Sequence, residues 1–202
     1  MRLVVVGCSG SGKTTMAKAL AHALEAPCVE LDAVNWQPDW YDIATHEPDE
    51  FVRRVAEAAA GEAWVIDGNY SKAREAHWAR ATAFVWMDTP RPAVMAQVIW
   101  RSFSRAVTKT ELWPGSGNKE EFRRWLDKGH PIRWAWDTWA LVHDRYAAMF
   151  ADGTFEGRPV YRVGNRREGQ QLVALLRAQH SVSSRKAAPA ACPGPIGAGN
   201  EG

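Results

Sequence analysis

Residues 2–24 constrain what this chain can fold into more than any other stretch. Arg2-Leu3-Val4-Val5-Val6 is a short β-branched apolar run, and Gly7-Cys8-Ser9-Gly10-Ser11-Gly12-Lys13-Thr14 follows it without a gap. Met16, Ala17, Leu20 and Leu24 then recur at helical spacing. Strand, glycine-rich turn and helix, with G-x-x-x-x-G-K-[ST] at the turn, form the pattern of a phosphate-binding loop. The chemistry explains the residue types. A phosphate chain is wrapped by backbone N–H groups, so Gly7, Gly10 and Gly12 keep side chains out of the way. The first N–H groups of the helix point at the anion, and the helix dipole favours negative charge there. Lys13 can reach the β- and γ-phosphates, and the Thr14 hydroxyl suits Mg²⁺. Ser9, Ser11 and Thr15 complete the candidate cradle for ATP.

Further along, apolar runs alternate with helical patterns. Strands are expected at Cys28–Asp32, Ala63–Asp67, Ala83–Asp88 and Pro159–Val163. Helices are expected at Asp49–Ala60, Ser71–Arg80, Pro92–Val107, Glu120–Lys128, Ile132–Phe150 and Glu168–Gln179. Ala33–Glu47 and Thr108–Lys119 read as loops. The alternation implies an α/β fold: a five-stranded parallel sheet with helices on both faces. Ligands in such sheets bind beyond the carboxyl ends of the strands, where Asp32, Asp67 and Asp88 are expected. Asp67, closing an apolar strand and followed by Gly68, is the candidate second acidic element and a metal ligand beside Thr14.

Phosphoryl transfer is mostly positioning and charge neutralisation, so arginines on a closing segment are expected. Arg101 and Arg105 lie one turn apart on one predicted helix, and Arg133 and Arg145 lie on the long helix after the Gly/Pro loop. With Lys13 they are the candidate catalytic clamp.

Bulk properties narrow the class. The 202 residues are 46% hydrophobic with a net charge of +2, which suggests one globular domain and gives general nucleic-acid or membrane binding no support. Three cysteines without paired spacing argue against a disulfide framework or a zinc site. With no signal-peptide pattern and no membrane-length apolar run, the expectation is a cytoplasmic monomer or homodimer. Eleven tryptophans are expected mostly in the core. The expected domain spans residues 1–180, with an acceptor-binding segment at 33–61 and a lid at 101–133. The Ser, Ala, Pro and Gly composition of 181–202 reads as a disordered tail.

The order of parts resembles the adenylate-kinase-like nucleoside monophosphate kinases. Their phosphate loop is similar to Gly7–Thr14, their Asp-Gly to Asp67-Gly68, and their Asp-x-Pro to Asp88-Thr89-Pro90. The start of their lid is similar to Arg101–Arg105. Arg133 and Arg145 match the two arginines on their later helix. A bacterial subgroup labelled "DNA topology modulation" proteins is more similar still. It carries Leu-Asp-x-x-x-Trp-x-Pro, seen as Leu31–Pro38, and Trp-[Val/Ile]-Ile-Asp-Gly-Asn-Tyr, seen as Trp64–Tyr70. The resemblance implies an ATP- and Mg²⁺-dependent kinase. In it the turn Gly164–Arg167, including Arg166, packs on the adenine, and Asp32, Trp36, Asn69 and Tyr70 line the pocket of a small acceptor.

One departure concerns the acceptor. Adenylate kinases follow Asp-Gly with Phe-Pro-Arg, whereas this chain has Asn69-Tyr70-Ser71. Arg53, Arg54, Arg74 or His77 could replace the missing arginine for a nucleoside monophosphate. Asp32 could instead orient or deprotonate a hydroxyl. Two other functions stay open: a plain ATPase, and a nucleotide-binding regulator of a DNA or protein partner, with Arg162, Arg166 and Arg167 as the basic patch.

Overall fold

Five apolar segments become five parallel strands: β1 (Arg2–Gly7), β2 (Cys28–Glu30), β5 (Trp64–Asp67), β6 (Ala83–Met87) and β7 (Val160–Val163). Their order across the sheet is β2-β5-β1-β6-β7, so the phosphate-loop strand is central. The computed structural model describes residues 1–109, 111–113, 116–120, 125, 127, 129–155 and 157–187, the last four by backbone alone. Register brings the strand ends to one edge: Val5 lies opposite Asp67, Gly7 opposite Met87, Glu30 opposite Asp67 and Met87 opposite Val163.

Side-chain alternation along the strands makes two cores. Leu3, Val5, Val65 and Val85 face Met16, Ala17 and Leu20 of α1 (Lys13–Ala23) and Leu172 and Leu176 of α8 (Arg166–Ala187). Val4, Val6, Ile66, Phe84 and Trp86 face the other side. There they meet Phe51 and Val55 of α4 (Pro48–Ala58), Trp78 of α5 (Arg74–Trp78) and Tyr146 of α7 (Pro131–Ala151). Helix α6 (Arg91–Thr108) buries Val94, Val98, Ser102 and Ala106 along one stripe and packs on α7 through Val94, Val98 and Ala135. Burial at each end of α4 shows the local logic. Pro48 starts it, Asp49 and Glu50 suit the positive end of its dipole, and Phe51 and Val55 lie one turn apart on the core face.

Several expectations need correction. Ala33–Glu47 is not mostly loop. It forms α2 (Leu31–Asn35), β3 (Trp36–Gln37), a 3₁₀ turn at Pro38–Trp40, β4 (Tyr41–Asp42) and α3 (Ile43–His46). Short-range side-chain bonds explain this: Asp42 caps α3 by accepting from Thr45 N–H at 3.0 Å, and the buried Asn35 accepts from Ala44 N–H at 2.7 Å. Strand β2 stops at Glu30, so Asp32 belongs to the first turn of α2 rather than to a strand end. The segment 71–80 is a 3₁₀ turn followed by the five-residue α5.

The last helix runs to Ala187, past the expected start of a disordered tail at Ser181. Ser181–Ala187 lacks Gly and Pro, so a helix begun at Arg166 can propagate through it. Residues 188–202 of the expected tail lie outside the described residues. So do residues 110, 114–115, 121–124, 126 and 128 of the expected lid, and with them most of the helix expected over Glu120–Lys128. Of the eleven tryptophans only Trp64, Trp78 and Trp86 are buried, while Trp100, Trp134 and Trp136 are more than half exposed. No helix among the described residues is long and apolar enough to cross a membrane.

Candidate functional site

The loop between β1 and α1 is a cradle made of backbone. Gly7 adopts φ +144°, and a Cβ there would stand 2.6 Å from the Met87 carbonyl oxygen, so the neighbouring strand itself demands glycine. Gly10, at φ +81°, packs against Val94 and Val98 of α6, which supports the loop from behind. Gly12, left-handed at φ 93°, caps α1 without any side-chain hydrogen bond, and no acidic residue occupies the first turn. The N-terminal N–H groups and dipole of α1 are thus left for an anion. Lys13 Nζ donates to the Cys8 carbonyl at 3.0 Å, folded over the loop it is expected to serve. Ser11 Oγ is buried without a hydrogen-bond partner. Ser9 is half-buried, and Thr15 is exposed on the first turn of α1.

Asp67 comes to this cradle from the end of β5. Its Oδ2 accepts from Thr14 Oγ1 at 2.5 Å, and its Oδ1 is buried with no hydrogen-bond partner. Burial holds the carboxyl above the ordinary carboxylate range, opposed first by the charge of Lys13 and then by the Thr14 bond. A buried carboxylate with an unmatched oxygen, beside a threonine hydroxyl and the backbone anion cradle, is a donor set that fits Mg²⁺. That ion takes one or two protein oxygens and completes its shell with phosphate and water.

The residues expected on the acceptor side meet through side chains. Tyr70, in the turn after β5, donates its hydroxyl to Asp32 Oδ1 at 2.8 Å. Burial, then the charge of Asp32, pushes the Tyr70 phenol far up, so it stays a donor. Arg101 lies on α6. Its Nε is buried and unpaired, and burial, then Arg105, holds its pKa down against the attraction of Glu120, Asp32 and Asp67. Arg101 therefore shares a field with the two acids of the site. Trp36 sits beyond α2, edge-on to Trp40 with ring centres 5.9 Å apart.

Other expected residues are placed elsewhere. Asn69 is bonded to the phosphate loop. Its Nδ2 donates to the Gly7 carbonyl at 2.5 Å, and its Oδ1 accepts from Gly7 N–H at 3.4 Å and from Tyr146 OH at 3.0 Å. It clamps the start of the phosphate loop to β5 and α7. Arg133 is exposed and paired with Asp137, one turn along α7, at 2.7 Å; Arg145 is exposed three turns further on. The helical geometry of α7 separates their backbones by about 18 Å, since each residue adds about 1.5 Å. Arg166 is exposed at the start of α8. The turn before it is preformed, with Glu168 accepting from Gly164 N–H at 2.7 Å and Asn165 accepting from Glu168 N–H at 3.0 Å.

The candidate replacements for the missing arginine are committed to other partners. Arg53 and Arg54 pair with Glu50, and Arg53 also with Glu57, along α4. Arg74 lies over the Trp78 ring at 4.6 Å. His77 is 1% exposed, its Nδ1 bonded to the Ala73 carbonyl, and burial pushes its pKa down to about 4. In the proposed basic patch, Arg162 is paired with Asp88 and stacked on Trp86, while Arg166 and Arg167 are exposed.

Thr89 was not singled out by its sequence. It is buried, donates to the Ser11 carbonyl at 3.0 Å and accepts from Trp139 Nε1 at 3.3 Å, tying the loop to α7. Its position inside Asp88-Thr89-Pro90 was the one available signal. Cys8, 4% exposed and pushed up to about 11 by burial, is a packed thiol rather than a reactive one.

Comparison with known proteins agrees with the fold. The model of a family described as "ATPase family associated with various cellular activities (AAA)" matches residues 3–68, which is less than half of the chain. A shikimate kinase from Bacteroides thetaiotaomicron is similar over 90% of this chain and 98% of its own, with 16% identity and a TM-score of 0.50. A gluconokinase from Sinorhizobium meliloti 1021 covers 91% of this chain and 97% of its own, with 20% identity and a TM-score of 0.46. No curated protein sequence matches. At these identities the likeness is one of fold: a P-loop NTPase fold with a five-stranded parallel sheet.

Proposed function

We propose that the chain is an ATP-dependent phosphotransferase that moves the γ-phosphate of ATP to a hydroxyl of a small acceptor. The observation that carries the reading is the meeting of two acids with different surroundings. Asp67 is buried against Thr14 in the phosphate cradle, while Asp32 accepts from Tyr70, and the charges of both acids act on Arg101. One carboxylate thus belongs to the donor half and one to the acceptor half.

In this reading the N–H groups of Gly10–Thr14 and the Lys13 ammonium hold the β- and γ-phosphates. Thr14 and Asp67 would hold Mg²⁺, which supplies charge neutralisation on the phosphates when bound. Asp32 accepts the proton of the acceptor hydroxyl as its oxygen bonds to the γ-phosphorus and the bond to the ADP oxygen breaks. Tyr70 orients that carboxylate. Arg101, with Arg105 beside it, meets the negative charge of the transferred group. The donor assignment extends to Gly7, Ser9, Ser11, Thr15 and the Arg166 turn as surroundings of ATP.

An adenylate-kinase-like reaction with a nucleoside monophosphate is the finer reading that the motifs resemble. It needs a cation for the acceptor phosphate, and Arg53, Arg54, Arg74 and His77 are bonded, stacked or buried elsewhere. That favours a hydroxyl acceptor. The test is a screen of ADP release and product phosphorylation with nucleoside monophosphates and with small polyhydroxylated compounds. Phosphorylation of a hydroxylated compound is expected. Phosphorylation of AMP would overturn the acceptor reading, and ATP turnover indifferent to every acceptor would make the protein a plain ATPase.

A further inference from the structure

The hairpin of β3 and β4 turns through two residues in an unusual conformation. Asp39 and Trp40 are both left-handed, at φ 57° and 58°, and neither is glycine. Side chains with a Cβ resist that region, and consecutive residues hold it only where the surroundings enforce it. The enforcing group comes from far along the chain. Asn118, 3% exposed, accepts from Trp40 N–H at 3.2 Å and donates to the Gln37 carbonyl at 3.0 Å. One side-chain amide thereby closes the turn as a peptide group would.

Asn118 is itself held firmly. Its N–H donates to Ser116 Oγ at 3.2 Å, its carbonyl accepts from Leu112 N–H at 2.9 Å, and Ser116 Oγ donates to the Trp113 carbonyl at 2.8 Å. Glu111 and Lys119 pair as an antiparallel bridge around it. Aromatic contact runs alongside: Trp113 stands edge-on to Trp40 at 6.2 Å, and Trp40 edge-on to Trp36 at 5.9 Å. Trp36 directly follows α2, which carries Asp32.

We infer that Asn118 is a positioning residue: it seats the Gln37–Trp40 turn against the segment that follows α6, and through that turn it holds the helix bearing Asp32. The positioning role rests on the acceptor reading above, whereas the contact does not. The same amide joins the expected acceptor segment to the expected lid, so the two form one unit on the acceptor side, separate from the phosphate cradle.

The test needs no phosphate transfer, so it succeeds or fails independently of the proposed reaction. In Asn118→Ala, amide hydrogen exchange at Trp40 is expected to rise at least tenfold, with acceleration reaching residues 31–36. Affinity for Mg²⁺ with a non-hydrolysable ATP analogue should stay within twofold of wild type. The near-ultraviolet circular dichroism difference made by Trp113→Phe should vanish in the Asn118→Ala background, because the amide sets the Trp113–Trp40 geometry. Asn118→Asp keeps an oxygen for Trp40 but no donor for Gln37, and its exchange should fall between wild type and alanine. Unchanged exchange at Trp40, acceleration that stops short of residues 31–36, a Trp113 difference that survives, or wild-type behaviour of the aspartate variant would each overturn the inference.

Discussion

The donor and acceptor halves of the proposed site are built in different ways. The donor cradle is contiguous: eight residues of one turn, made of backbone N–H groups and glycines, braced by Asp67, Asn69 and Thr89 from neighbouring segments. The acceptor half is gathered from α2, the turn after β5, α6 and the segment around Asn118, and it works through side chains. Backbone chemistry is generic, so the cradle reads phosphate and nothing more. Side-chain chemistry is particular, so under the proposed reaction selectivity falls to the acceptor half.

That contrast can be broken by mutation. The largest effect is expected at the cradle. Lys13→Ala should lower phosphate transfer by about a hundredfold or more, equivalent to about 3 kcal/mol, because its ammonium is the one cation that the Gly7–Thr14 segment itself carries. Steady-state ADP release measures it, and full turnover would remove Lys13 from the donor half. Asp32→Asn should cost about a hundredfold in kcat, the usual scale for a lost general base, while affinity for the ATP analogue stays unchanged. A loss shared equally by nucleotide binding would merge the two halves.

The next effect separates core from site. An unfolded histidine titrates near pH 6.5, but burial holds His77 at about 4. The folded state thus refuses a proton that the unfolded state accepts. The stabilising contribution of neutral His77 is complete above pH 6.5 and is lost as pH falls from 6.5 towards 4. Between pH 7 and pH 5 wild type should lose about 2 kcal/mol more than His77→Leu in urea unfolding. Parallel curves would return His77 to a solvent-facing role on the acceptor side.

Smaller still is Asn69→Ala, which leaves the Gly7 amide and carbonyl unpaired and should cost about 1–2 kcal/mol of stability by thermal or urea unfolding. Unchanged stability together with a raised acceptor KM would make Asn69 an acceptor ligand after all. Last, Arg133→Ala should change turnover by less than about twofold, since its guanidinium is paired with Asp137 on an exposed face and such pairs are worth little. A tenfold loss would put α7 into the clamp.

Legibility in the sequence followed the same division. All five strands, the phosphate loop and the long helices around them could be read, because each is a local pattern of hydrophobic period and glycine spacing. The 33–47 region could not. Its short helices and strands are held by Asn35, Asp42 and Asn118, polar residues that composition assigns to loops. The part played by Arg133 and Arg145 is not legible either, because a sequence shows spacing but not which helix face meets the cradle.

By itself, the sequence determined the glycine-rich turn and the helix that follows it, an anion-binding geometry made from residues already adjacent in the chain. Only the tertiary structure decided the roles of Asn69, Thr89, Asn118 and His77, whose partners or burial depend on segments brought together by the sheet. Asn69 meets Gly7 across 62 residues, and Asn118 meets Gln37 across 81. A polar side chain has no role until folding sets its neighbour, and at such separations the neighbour is set by packing rather than by spacing.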